Sequence, residues 1–274
     1  MRRFCAAAVV FAGAVSSGSF ARADDPVVGP PAPSEPTAIV EVRRASDERR
    51  TVGRLPANLA HAALGVWSKP NLAPLLIGSG LTGLASTLDQ KTAHAHEPPA
   101  GALEEFSEVG GTMGGSLAVG IATAGLFTAG RFARDARFRA FSYDILEGTL
   151  LNAAYTQVLK TAVGRTRPDG SDSKSFPSGH TSNAFAWATI VEHHYGWKAG
   201  VPAYAMAAAI GAARVTGGKH YLSDVAAGAT LGVIVGRTVG RLNGRVLGAS
   251  SRIAMAPIVG AHHTYGMAVS VNLD

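Results

Sequence analysis

At 274 residues the chain has room for one domain with a core large enough to need neither disulfide nor metal support, and its only cysteine, Cys5, excludes a disulfide framework. A formal charge of +6, scattered rather than gathered in one block, is too weak to argue for a nucleic-acid partner. Aromatics make up 7% while glycine occurs 33 times, a composition that lets helices approach closely, in a core or in a bilayer.

Residues 1–23 read as a secretory signal. Arg2 and Arg3 give a positive start, residues 4–15 are apolar, and Ala21 and Ala23 occupy cleavage positions before Asp24. Cleavage would remove Arg2, Arg3 and Arg22 and leave about +3. Residues 24–37 are rich in proline and in acidic or small residues, and 39–55 are charged, so 24–58 is expected to be a linker with a short surface segment.

A helical domain is expected over 59–248, with about six core helices. Uncharged or nearly uncharged runs cover 72–88, 112–130, 141–163, 181–195, 201–213 and 221–239. Residues 89–99, with His94 and His96, read as a polar loop. A metal site there is rejected, because the i, i+2 spacing beside Pro98 and Pro99 suits a solvated patch better than a ligand set. Several runs approach the roughly 20 residues that cross hydrocarbon, and Arg131, Arg134, Arg137 and Arg139 suit a headgroup surface or, equally, an ordinary solvated loop. A tightly packed soluble bundle has the same pattern. Membrane association is the favoured expectation. The tail, 249–274, is strand-like over 252–259 and 265–273. The alternation favours a terminal β-hairpin, while Pro257 either counts against the first strand or places it at an edge.

Three clusters carry chemistry. Lys160 and Arg167 lie seven apart, and Pro168 disfavours helix at Arg167, so the helix ends just before it and leaves two cations at its terminus. Bound phosphate would compensate them, with Arg as a planar fork and Lys as a compact charge; two solvated cations are the simpler alternative. Pro177-Ser-Gly-His180 precedes an apolar helix. Ser178 suits its N-cap, Gly179 permits close backbone approach, and the exposed amides suit an oxyanion. His180 then stands where it can protonate a leaving alkoxide, whereas simple capping explains Ser178 but not His180. His220 and Asp224 are four apart at the start of the sixth helix. The carboxylate can orient one ring nitrogen, leaving the other to attack phosphorus, with Arg214 as a third cation.

Together these clusters resemble the three-part signature of the type 2 phosphatidic acid phosphatase (PAP2) superfamily, which includes lipid phosphate phosphatases, bacterial nonspecific acid phosphatases and vanadium-dependent haloperoxidases. The resemblance covers roughly 140–240. It implies an all-α PAP2-type bundle, with His220 as nucleophile, His180 as general acid and Asp224 as the partner of His220. Lys160, Arg167, Ser178, Gly179 and Arg214 would bind phosphate, and no metal or other cofactor is called for. Ala213 departs from the pattern, which usually has Ser before the Arg.

The function expected is hydrolysis of a phosphate monoester or diphosphate, lipid-linked by first choice, by an exported enzyme facing the periplasm and associated with the membrane. A soluble periplasmic nonspecific acid phosphatase, a vanadium haloperoxidase and a noncatalytic envelope protein are the alternatives.

Overall fold

The computed structural model describes residues 49–94, 100–244, 253–260 and 264–271. The leader and most of the linker and surface segment expected over 1–58 lie outside them, as does His96. Two compact units divide the chain: Ser46–Val246, and Met1–Ala45 with Leu247–Asp274. In the second, β1 (Ile253–Gly260) pairs antiparallel with β2 (Thr264–Val271), Pro257 standing opposite Met267.

Nine α-helices form the first unit among the described residues: α1 (Leu55–Gly65), α2 (Leu72–Ser86), α3 (Asp89–His94), α4 (Ala102–Met113), α5 (Ser116–Phe132), α6 (Ala136–Val163), α7 (Gly179–Tyr195), α8 (Trp197–Thr216) and α9 (Leu222–Asn243). The expectation of about six is therefore corrected. Each of the six apolar runs holds a helix, but α1, α3 and α4 are short or carry charges such as Glu104, Glu105 and Glu108, and apolar runs do not reveal them. Two further corrections are local. Residues 89–94, expected as loop, form α3. The run 112–130 is not one helix: it breaks at Gly114-Gly115, where α4 and α5 meet at 47°.

Helix ends follow local chemistry. Asp135 caps α6 by accepting the Phe138 N–H at 2.6 Å. Gly164, at φ 60°, closes its other end in the left-handed region that glycine enters without strain. Ser178 caps α7.

Four helices position the site. Arg137 and Phe141, early in α6, meet Tyr195 at the end of α7, while Thr156 and Lys160 lie beside Gly179 at its start, so these helices are antiparallel. Gly211 of α8 approaches Thr181, and Gly200 approaches Glu192, which makes α8 antiparallel to α7 as well. Gly228, Gly232, Gly236 and Gly240 of α9 follow Ser178, Ser182, Thr189 and His193, so α9 runs parallel to α7. The N-termini of α7 and α9 and the C-termini of α6 and α8 thus share one end of the bundle. Apolar packing joins them through Ala62, Leu151, Ile234, Val235 and Val239 on one side and Phe141, Ile145 and Ile190 on another.

The opposite end holds a buried polar cluster. Asp144 accepts from Arg50 Nε and Nη2 at 2.9 and 3.0 Å, and it pairs with His194 Nε2 at 2.8 Å. Asn243 donates to Asp144 at 2.9 Å and to Glu147 at 2.7 Å. These bonds tie the segment before α1 to α6, α7 and the end of α9. At 1.5 Å per residue, Asp144 lies roughly 24 Å along α6 from Lys160.

Candidate active site

The predicted residues collect at the shared helix end. Lys160 occupies the last turn of α6, and its Nζ donates to the Lys174 carbonyl. Burial, and then the neighbouring Arg167, bring its pKa down to about 8. Arg167 follows in the loop and donates through Nε to Asp172 at 2.7 Å. Arg214 closes α8 and is buried; its Nε has no hydrogen-bond partner, and no carboxylate pairs with it among the described residues. Arg167 also presses electrostatically on Arg214. Crowded cations without full carboxylate compensation favour an anion.

The two parallel helices aim their N-termini at this end. Each brings the partial positive charge of a helix start, although at α9 the Tyr221 and Ser223 N–H groups are already taken by Asp224 and Asp89. At Gly179 an added Cβ would meet only Thr156 and Lys160, at ordinary separations of 3.4 and 3.9 Å. Protein packing therefore does not demand glycine there. Ser178 Oγ accepts from Thr181 Oγ1 at 3.0 Å and from its N–H at 3.4 Å, and Ser178 N–H donates to the Asp224 carbonyl at 2.9 Å. That last bond fixes the start of α7 against the start of α9.

His180 lies in the first turn of α7. Its Nε2 is 3.1 Å from the Gly111 carbonyl. A carbonyl only accepts, so this contact assigns the proton of the neutral ring to Nε2. Burial, then Arg214 and His220, lower its pKa to about 4. A bound dianion supplies the opposite charge and restores proton affinity. Sulfate binding near pH 6 is therefore expected to draw a fraction of one proton from the buffer, as calorimetry in two buffers of different ionisation enthalpy would measure. His180→Asn should bind with less uptake, the remainder coming from His220.

His220 precedes α9 rather than lying within it, and it is 2% exposed. The Arg214 carbonyl accepts the His220 N–H at 3.2 Å, so one residue supplies both a cation and a backbone anchor. His220 Nδ1 faces Asp224 Oδ2 at 3.8 Å, an ion-pair separation too long for a hydrogen bond, and it has no other partner. Burial holds this imidazole below its ordinary pKa, with Lys160 and Arg167 adding to the effect. Asp224, in the first turn of α9, accepts from Ser175 Oγ at 2.5 Å and from Tyr221 N–H at 2.9 Å.

Three partners of this cluster escaped the sequence reading: Ser175, Arg165 and Asp89. Arg165 Nη1 donates to Asp224 Oδ1 at 2.9 Å and to Ser223 Oγ at 2.7 Å, while Nη2 reaches Asp89 at 2.8 Å. Arg165 sits inside the first motif and Ser175 two residues before the second, and both resemble ordinary loop residues there. Asp89 lies 134 positions from Ser223, to which it is bonded, and no local pattern links them. His94 falls in α3, and among the described residues no group of three or more His, Cys, Asp or Glu has metal-binding placement.

One end of the bundle thus gathers two histidines, a carboxylate and several cations, and comparison with known proteins gives the class. The PAP2 superfamily model matches residues 142–245, the stretch that holds all the residues gathered here. Over 94 residues it is 40% identical to the lipid A 1-phosphatase of Porphyromonas gingivalis, covering 33% of this chain and 20% of that protein. Over 99 residues it is 29% identical to the lipid A 4'-phosphatase of Helicobacter pylori, covering 32% of this chain and 50% of the relative. The chain thus matches between a fifth and a half of the length of these curated relatives. Among solved structures it is similar to Aquifex aeolicus LpxE, with a TM-score of 0.47 and 24% identity over 57% of this chain and 93% of that one. It is also similar to a transmembrane PAP2-type phosphatidylglycerolphosphate phosphatase from Bacillus subtilis, with a TM-score of 0.43 and 19% identity over 76% and 94%.

Proposed function

We propose that this chain is an exported, membrane-associated phosphatase, its site facing the periplasm, that hydrolyses a lipid-linked phosphate monoester or diphosphate without a metal. The observation that carries this reading is the convergence of His180, His220 and Asp224 with Lys160, Arg167 and Arg214 at one end of four helices. In the first step His220 Nε2 attacks phosphorus. The bond to the leaving oxygen breaks and His180 gives that oxygen its proton, leaving a phosphohistidine. In the second, His180 takes a proton from water, whose oxygen attacks phosphorus; the P–N bond breaks and phosphate departs. Lys160, Arg167 and Arg214, with the Ser178 and Gly179 region at the α7 terminus, hold the phosphoryl oxygens.

Two features support a lipid. An apolar cavity of about 260 Å³, lined by Met113, Gly114, Ala118, Trp187, Met206 and Ile210, opens beside His180. Gly114 makes the connection, since a Cβ there would stand 3.0 Å from the His180 ring. Secondly, α2 turns Leu76, Ile77, Leu81 and Leu84 outward, each more than half exposed. By length and composition α9 alone among the described residues is a candidate span, though 56% of its apolar window is buried; the bent pair of α4 and α5 also passes when taken together.

The test is phosphate release from p-nitrophenyl phosphate and from short-chain phosphatidic acid, with chelator present. Release from both, with higher kcat/KM on the lipid, is expected. Release from neither would sink the assignment, loss with chelator would remove metal independence, and release from the soluble ester alone would establish the soluble phosphatase instead.

A further inference from the structure

We propose that Arg165 and Asp89 form a positioning pair that sets how strongly Asp224 pulls on the His220 imidazole. The inference rests on the phosphatase reading and adds two residues to its machinery. Neither touches the anion site. Both act through Asp224.

Every oxygen of Asp224 is engaged. Oδ1 accepts from Arg165 at 2.9 Å, and Oδ2 accepts from Ser175 and Tyr221 while standing 3.8 Å from His220 Nδ1. The guanidinium is itself held on three sides. It stacks with its carbon 3.9 Å above the Tyr221 ring, bonds Ser223 Oγ, and pairs with Asp89 at 2.8 Å. Asp89, buried at the start of α3, also accepts Ser223 N–H at 3.0 Å and Ser223 Oγ at 2.5 Å. One cation is therefore shared by two carboxylates. The more of its charge Asp89 claims, the more of the field of Asp224 remains for His220. An uncompensated carboxylate favours imidazolium, which cannot attack phosphorus; a fully compensated one leaves the ring neutral and nucleophilic.

The other charged groups facing His220 are Lys160 from α6, Arg167 from the loop after it, His180 from α7 and Arg214 from α8. None is altered by changing the pair, so its effect can be read separately. The two substitutions should act in opposite directions. Arg165→Gln removes the cation, and the acid limb of kcat/KM, which reports the essential base of the free enzyme, moves to higher pH. On that limb kcat/KM falls about tenfold, the equivalent of one pKa unit, while the plateau changes much less. Asp89→Asn gives the whole cation to Asp224, and the limb moves to lower pH. Arg165→Lys keeps the charge, and its limb stays near the wild-type position.

The experiment is the pH dependence of p-nitrophenyl phosphate hydrolysis by these variants, with His220 titration followed by NMR in ring-labelled protein and assigned with His220→Gln. The double variant Arg165→Gln/Asp89→Asn removes the cation together with one carboxylate. It avoids two unpaired buried acids and should still show the raised limb if Arg165→Gln alone fails to fold. Opposite displacements in rate and NMR support the pair. Limbs that stay in place, or move together while only the plateau falls, overturn it and leave Arg165 and Asp89 as structural ties. Wild-type protein that hydrolyses nothing would instead overturn the phosphatase reading, and the NMR titration would still decide whether the pair acts on His220.

Discussion

With p-nitrophenyl phosphate as substrate, His180→Ala is expected to release about one equivalent of nitrophenol per site in a burst and then to turn over about 10²–10⁴-fold more slowly than wild type. Nitrophenolate is a stable anion and leaves without a proton, so attack by His220 survives the substitution. The second step does not, because water then lacks its base, and phosphate stays on the protein as an acid-labile adduct. Short-chain phosphatidic acid should give no burst, since its leaving group is an alkoxide and the first step fails as well. His220→Ala should show neither burst nor adduct on either substrate. Quenched-flow release of nitrophenol, with trapping of labelled phosphate on the protein, measures both. Wild-type steady turnover in His180→Ala, or label retained in His220→Ala, would assign the roles wrongly. The expectation draws on two rings held at separate helix starts that the 2.9 Å bond from Ser178 N–H to the Asp224 carbonyl joins.

The residues that meet there differ in how readily a sequence reveals them. Lys160, Arg167, Ser178, His180, Arg214, His220 and Asp224 all stand in short motifs at the edges of apolar runs, where polar groups with no packing role stand out. Arg165 stands in the same motif, but nothing in its local sequence sets it apart from a solvated cation. Its meaning comes from Asp89, brought to it by the packing of α3 near the start of α9. Asp144 and Glu147 show the same limit. They break the apolar pattern of α6 as isolated charges, and only the fold supplies Arg50, His194 and Asn243 as their partners. The bend between α4 and α5 was hidden for a different reason. Gly114 and Gly115 interrupt no periodicity, and an apolar run reads straight through them. Yet that bend brings the Gly111 carbonyl onto His180 and opens the cavity beside it. Local pattern reports which residues are costly to bury, whereas the pairing that offsets the cost is tertiary.

Gly232→Ala should disable the site from a distance, and the same substitution at Gly125 should not. At Gly232 a Cβ would fall 2.3 Å from the Ser182 carbonyl oxygen and 2.8 Å from the Ala186 nitrogen, both backbone atoms of α7. No rotamer relieves a contact with backbone, so the helices must part. Gly228 and Gly236 make similar approaches to Ser178 O and Ala186 O, at 2.6 and 2.8 Å, so the whole face of α9 is built for this closeness. Overpacking of this kind costs about 1–3 kcal/mol. Its effect on rate should be larger than its effect on stability suggests. The starts of α7 and α9 carry His180 and Asp224, and His220 lies just ahead of α9. A displacement of about 1 Å between catalytic groups can cost about a hundredfold in rate. At Gly125 of α5 nothing lies within 4 Å of the added methyl. There alanine should stabilise the helix by roughly 0.5–1 kcal/mol, because glycine loses more backbone freedom on folding, and leave kcat unchanged. Thermal melts and kcat for both variants make the comparison with identical chemistry at each site. Wild-type stability and rate in Gly232→Ala would mean that the spacing of α7 and α9 is not what holds His180 and His220 in register.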